Sequence, residues 1–258
     1  MTDTLPRRAL PLPPALTLAA DARLSRVNYT DDQAWELLPG VLDSPGLALQ
    51  TRYGGRVGLA SLVPMWTLLH DRRVIYEAQA YATPPVITAF APGCARVEAA
   101  LLPTLTLIAE VWVLESCALG VRYTLHNTAP EPVALRLDLF AQVGSHGKAQ
   151  TLAIATLVSG LQALALGKYS HLTPAVLLEN ATAQLGSGSP KIGVDLTIAP
   201  GETLRVRWVH AGAAELRDSL ALAEAWLAQD WDAGLARVAQ AAQALPMIET
   251  GDPAHDAV

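Results

Sequence analysis

Carboxylates and histidines are the side chains of this chain that could carry chemistry. Glycoside hydrolysis needs two carboxyl groups flanking the scissile bond, about 5–9.5 Å apart. Asp31, Asp32, Glu77, Glu98, Glu110, Glu115, Asp138, Glu179 and Asp195 are available, but their spacing does not show which of them converge. Most alternate out from apolar runs, which places them on a solvated face or one covered by a neighbouring domain. General acid–base work would pair a His with a carboxylate, and His126, His146, His171 and His210 are the raw material. His126 and His210 fall at strand ends, where a hydrogen-bonded structural His is the usual case, and nothing ties any two histidines together. His146 lies in the polar loop Gly144-Ser145-His146-Gly147-Lys148.

Binding is the third chemistry to weigh. A sugar ring offers an apolar side to an aromatic face, with polar groups around it. Trp66, Tyr76, Tyr81, Trp112 and Tyr123 could build such a platform, although aromatic residues make up only 5% of the chain. Trp112 and Tyr123 lie on patterned strands and read as core. Trp66, close to His70-Asp71-Arg72-Arg73, is the preferred exposed aromatic, so the carbohydrate-binding candidates are Trp66, His70 and His146. Trp226 and Trp231 are expected at a domain interface or, without a partner, as an exposed apolar patch. No residue is assigned as catalytic. Cys94 and Cys117 have no metal-ligand spacing, so no metal is expected, and buried free thiols are the expected state, with a single disulfide as the alternative. Gly54-Gly55 is not a phosphate loop, and no cofactor is implied.

The net charge of −6 and the pI near 5.5 argue against nucleic acid, which needs a clustered basic surface. With 51% apolar residues in a 258-residue chain, a large core forms without staples. Arg7 and Arg8 precede an apolar run, but Pro11, Pro13 and Pro14 break it where a signal peptide would be helical. No apolar segment is long enough to span a bilayer. The expectation is a cytoplasmic protein, for which the Asn28 and Asn180 glycosylation patterns mean little.

The elements that must position these residues are mostly strands. In Leu119–Gln142 two runs of period-two alternation flank Asn127-Thr128-Ala129-Pro130-Glu131-Pro132, which predicts an antiparallel hairpin. Short apolar runs continue from Leu47 to Gly212, punctuated by Gly and Pro. They include residues 73–82 as a strand, Gly54-Gly55 and Gly160 as tight turns, and Pro200-Gly201-Glu202 as a turn into the last strand. Within Leu24–Leu38, Thr30 could cap a short helical turn with Gln33. After Ala213 the chain is Ala- and Leu-rich. Asp218 or Ser219 can cap a first helix, Asp230 a second, and Pro246 ends it. The fold class is therefore all-β: a large antiparallel two-sheet sandwich with a short C-terminal helical extension.

This order of parts resembles the N-terminal β-supersandwich domain and linker helices of six-hairpin glycosidases, which include glucoamylase-like enzymes and glycoside phosphorylases. The likeness is carried by YTDDQAWELL, by EVWVLESCALGVRYTLHNTAPEPVALRLDLF, by the PGE turn, and by Ile248-Glu249-Thr250-Gly251-Asp252-Pro253 after two helices. It implies a tail (1–20), a supersandwich (21–212), linker helices (213–247) and the start of a further domain (248–258). It also implies a partner, the (α/α) toroid that carries the family's catalytic carboxylates, or a homo-oligomer partner. None of those catalytic residues maps onto this chain. The expected function is a noncatalytic domain scaffolding a toroid. The alternative is a free-standing sugar-binding domain, or one resembling sugar mutarotases.

Overall fold

The computed structural model describes residues 15–19, 33–53, 58–145, 151–169, 172–184 and 189–243. Two eight-stranded antiparallel sheets face one another. The first runs β1 (Leu16–Ala19), β2 (Ala34–Pro39), β3 (Leu47–Tyr53), β4 (Gly58–Leu68), β10 (Val133–Ser145), β15 (Lys191–Ile198) and β14 (Thr182–Gln184), with β5 (Val74–Ile75) on the far flank of β4. The second runs β11 (Ala153–Thr156), β12 (Gln162–Ala165), β13 (Ala175–Leu178), β16 (Thr203–Ala211), β9 (Ala118–Asn127), β8 (Leu105–Glu115), β7 (Cys94–Leu102) and β6 (Thr83–Ala91). The all-β expectation holds. No helix among the described residues is long and apolar enough to cross a membrane.

Alternation places every second residue of the central strands between the sheets. Trp35, Leu37, Leu49, Leu62, Leu135, Leu137 and Leu139 of the first sheet meet Leu107, Leu119, Val121, Leu125, Val206 and Trp208 of the second, all buried. Each such side chain contributes roughly 1.5–3 kcal/mol by leaving water. Pro64 sits inside β4, between Leu62, which pairs with β3, and Trp66, which pairs with β5. On that flank its missing N–H breaks no strand pairing. Pro84 and Pro85 likewise occupy β6, an edge strand, at a register irregularity.

The expected hairpin of residues 119–142 is corrected. β9 pairs with β8 and β16, whereas β10 pairs with β4 and β15, so the segment between them arches from one sheet to the other. Both strands are apolar on the face they turn to the core, and opposing sheets satisfy both at once. A second arch, Ala199–Glu202, carries β15 into β16 beside it. Asn127 fastens the two. Fully buried, it shares its amide hydrogens among the carbonyls of Glu131 (2.9 Å), Ile198 (3.0 Å) and Ala199 (3.3 Å). Its Oδ1 accepts from the Ala129 N–H, its backbone N–H donates to Glu202, and its carbonyl accepts from Gly201.

One other expectation, the helical turn capped by Thr30, lies outside the described residues. The segment after it, residues 34–39, is a strand, with Trp35 and Leu37 alternating into the core and Glu36 and Leu38 outside. The expected strand over residues 73–82 is corrected: only Val74–Ile75 is strand, and Ala78–Ala80 is a 3-10 turn that carries Tyr81 into the core. The Gly160 turn does join β11 to β12, with Gly160 at φ +86°.

Helices α1 (Leu216–Leu227) and α2 (Trp231–Gln243) lie on the outer face of the second sheet. α1 begins before the expected caps. Buried Ser219 instead donates to the Thr173 carbonyl and accepts from the Ala213 N–H, tying the helix to the sheet. Asp230 caps α2 as expected, accepting from Ala233 N–H at 3.0 Å. Two tryptophans then interlock with two glycines. Trp231 of the helix lies on Gly120 of β9, and Trp112 of β8, paired with Gly120, lies on Gly234 of the helix. Their rings meet edge to face at 6.2 Å.

Two substitutions test these points by urea denaturation. Asn127→Ala leaves buried carbonyls in both arches without a donor and should cost about 2–4 kcal/mol. Gly234→Ala would gain about 1 kcal/mol at an open helix position. Here its Cβ collides with Trp112, so a net loss of roughly 1–3 kcal/mol is expected.

Candidate functional site

The chemistry-bearing side chains gather on the two outer faces. On the second sheet a charged row crosses the strands: Arg96 of β7 stands opposite Glu110 of β8, which faces Arg122 of β9, which faces Arg207 of β16. Arg122 is 4% exposed. Its Nε and Nη2 both reach Glu110 Oε2 at 2.6 Å, and its Nη1 reaches Asp232 of α2 at 2.6 Å. Arg205 adds a second contact to Asp232 at 3.1 Å. The Arg122 guanidinium is the main cause holding the Asp232 carboxyl below its ordinary range. Arg207 pairs with Glu179 and lies 5.8 Å from the centre of the Trp231 ring. The helices therefore cover this polar face, and its charges hold them in place.

The outer face of the first sheet is different. Arg136, Asp138, Phe140 and Gln142 follow one another at every second position of β10, so they share that face. Arg136 donates from Nε to Asp138 Oδ1 (2.9 Å) and from Nη1 to Asp195 Oδ1 (2.8 Å). Lys191 reaches Asp138 Oδ2 at 2.7 Å. This salt-bridged plane lies over Gly193, where any Cβ would strike Asp138 Oδ1. Burial works against the Arg136 charge, but Asp195 and Asp138 outweigh it and raise its pKa. Phe140 continues the surface, paired with Lys191 across the strands and with Tyr76 at 5.6 Å between ring centres. The Tyr76 hydroxyl adjoins Gln142; burial and the charge of Glu77 push it up.

The sequence-stated candidates fare unevenly. Trp66 is not exposed. It points into the core against Tyr123, with ring centres 5.3 Å apart, because the inward register of β4 includes it. His70 is on the exposed β4–β5 turn beside Asp71, at 3.3 Å. His146 and His171 lie outside the described residues. Trp231 is buried against the second sheet and Trp226 is partly buried, its indole N–H donating to Glu115. Trp112 and Tyr123 are core, as read. Cys94 is buried and Cys117 half-buried, both as free thiols. Among the described residues no three His, Cys, Asp or Glu side chains gather as a metal site.

His126 contacts Thr203 and the Glu202 carbonyl through Nδ1, a structural role in the second arch. His210 is wholly buried, and its Nδ1 accepts from the Trp35 indole N–H across the sheets at 3.3 Å. Sequence reasoning missed the face built by Arg136, Asp138, Phe140 and Lys191. Its β10 half was visible as the polar side of an alternating strand, but the partners from β15 depended on a register that sequence does not fix.

Neither a protein-family model nor a curated protein sequence matches this chain. Solved structures do. A bacterial glucoamylase complexed with acarbose superposes with a TM-score of 0.63 at 9% identity, covering 91% of this chain and 38% of that one. A heparinase III superposes with a TM-score of 0.53 at 9% identity, covering 84% of this chain and 37% of that one. The fold is thus the supersandwich implied by the sequence resemblance. The chain spans just over a third of the length of these enzymes.

Burial pushes the His210 imidazole down to about 3. An unfolded His titrates near 6.5, so between about 6.5 and 3 the unfolded state binds a proton that the native state refuses. Stability should fall with pH across that window by at most about 1.4 kcal/mol per unit from this residue. Chemical denaturation of His210→Asn against the parent at stepped pH should show a flatter acid slope in the variant.

Proposed function

We propose that this chain is a noncatalytic sandwich domain of a carbohydrate-active enzyme, a glycoside hydrolase or phosphorylase, which buttresses a helical toroid catalytic domain. The observation that carries the reading is the combination of supersandwich and docked helix pair, which superposes over 91% of this chain on 38% of a bacterial glucoamylase. The sandwich begins at β1, Leu16–Ala19, inside the expected tail; the proposed division then places linker helices over 213–247 and the start of a further domain at 248–258. In this arrangement α1 and α2 transmit the position of the sandwich to the toroid, because Arg122, Trp112 and Gly120 fix them to the second sheet. The ion pairing of Glu98, Glu110, Asp138, Glu179 and Asp195 agrees with carboxylates that hold structure. Free thiols at Cys94 and Cys117 suit a reducing, cytoplasmic setting.

A second reading, a free-standing sugar-binding or mutarotase-like domain, is favoured by the mixed aromatic and charged face of β10. Sequencing through the Val258 codon in the source genome separates the two. A frame that continues into a long helical repeat is expected, while a stop codon there overturns the scaffold reading. Polarimetry of fresh sugar anomers with the purified chain gives a separate check. The scaffold reading expects the uncatalysed rate, and acceleration lost in His70→Ala would establish the isomerase instead.

A further inference from the structure

We propose that the outer face of the first sheet is a binding site for a neutral oligosaccharide, centred on Phe140 and Tyr76 and bordered by Gln142, Lys191 and Asp195. This deepens the carbohydrate reading above and does not depend on whether a toroid follows. The helices that close the outer face of the second sheet make their contacts there, on β9, β13, β16 and β6. Along β10 the row from Arg136 to Gln142 spans about 20 Å at the rise of an extended strand. That is long enough for several linked sugar rings.

The composition of the row selects the ligand class. Arg136 and Lys191 carry two positive charges, and Asp138 and Asp195 carry two negative ones, so the cluster is balanced. A polyanion would need a surplus of cations, whereas hydroxyl groups need donors and acceptors side by side. Lys191 and Gln142 supply donors, and Asp195, whose side chain is 66% exposed, supplies an open acceptor. Phe140 and Tyr76 are only partly buried, tilted by 38° to one another, and form an apolar step beside these groups. Such a step receives the C–H side of a pyranose while its hydroxyls turn to the polar rim.

The site is also built in advance. Asp138 is 2% exposed and Arg136 9%, both outside the apolar core, and Arg136 Nη2 has no hydrogen-bond partner among the described residues. Arg136 holds Asp195 and Asp138, and Asp138 in turn holds Lys191, so little side-chain entropy is lost when a ligand arrives. On the second sheet the same kind of pairing fastens α2; here its partners Asp195 and Lys191 lie at the edge of the aromatic step.

The test is a glycan array of neutral α- and β-linked oligosaccharides and of sulfated ones, probed with the 258-residue chain. Positive neutral probes are then titrated by calorimetry. Saturable binding of a neutral oligosaccharide is expected, weakened at least tenfold in Phe140→Ala and in Tyr76→Ala, with melting temperatures near that of the parent. Asp195→Asn, on an exposed side chain that can still accept from Arg136, should weaken binding several-fold and serves as the second variant if Phe140→Ala is unstable, with its melting temperature measured alongside. The proposal is overturned by the absence of neutral ligands, by exclusive binding of sulfated probes, or by affinity indifferent to Asp195 and Tyr76. None of these results bears on the reading frame beyond Val258, so scaffold and binding site stand or fall separately.

Discussion

The sandwich depends on one buried amide. Two sheets of eight strands must be joined by segments that leave one sheet and enter the other, and such segments carry backbone groups past the end of the core. Two of these arches, Thr128–Pro132 and Ala199–Glu202, lie side by side, and Asn127 satisfies carbonyls in both while its own backbone bonds to the second. Asn supplies two donors and an acceptor in a small plane, and no apolar residue could close the same bonds. Because β9 and β10 are the central strands of their sheets, the geometry of this corner sets the offset between the two inward-facing rows. Trp66 meets Tyr123, and Trp35 meets His210, only at that offset.

The outer faces follow from the same alternation with opposite outcomes. A face that is polar at every second residue needs water or a cover. On the second sheet the cover is part of the chain, and steric fit sets its position as much as charge: Trp231 needs the absent side chain of Gly120, and Trp112 needs that of Gly234. On the first sheet the polar residues neutralise one another in the plane of the sheet, over Gly193, and leave an aromatic step beside them.

How far this was legible in the sequence depends on the range of the interaction. Alternation is local, so the strands at Leu105–Glu115, Lys191–Ile198 and Thr203–Ala211 and the sandwich class could be read directly. Sheet membership is not local. The alternating runs around Asn127 looked like a hairpin because a short polar loop serves equally for a turn within a sheet and an arch between sheets. Trp66 was misplaced for the same reason, since its neighbours His70–Arg73 are exposed while its own register points inward. The site on the first sheet needed the β10–β15 register, which brings Lys191 opposite Phe140 and Asp195 opposite Arg136. Nothing in the spacing of 136 to 195 announces it.

The buried ion pairs show why the helices belong to the architecture rather than to its margin. Removing Arg122 from water is costly, and a buried pair of this kind seldom adds net stability over a well-packed apolar pair. What it adds is register. Arg122 finds Asp232 only when Trp231 is seated on Gly120, and Asp232 finds Arg205 only at that same setting. A helix sliding by one turn would bury the guanidinium against apolar residues with its second partner gone, a far larger loss than any packing gain could offset. An apolar stripe alone would permit several such settings, because Ala- and Leu-rich helices pack acceptably in many registers. The charged row and the tryptophan–glycine interlock thus select one and the same position for the helices.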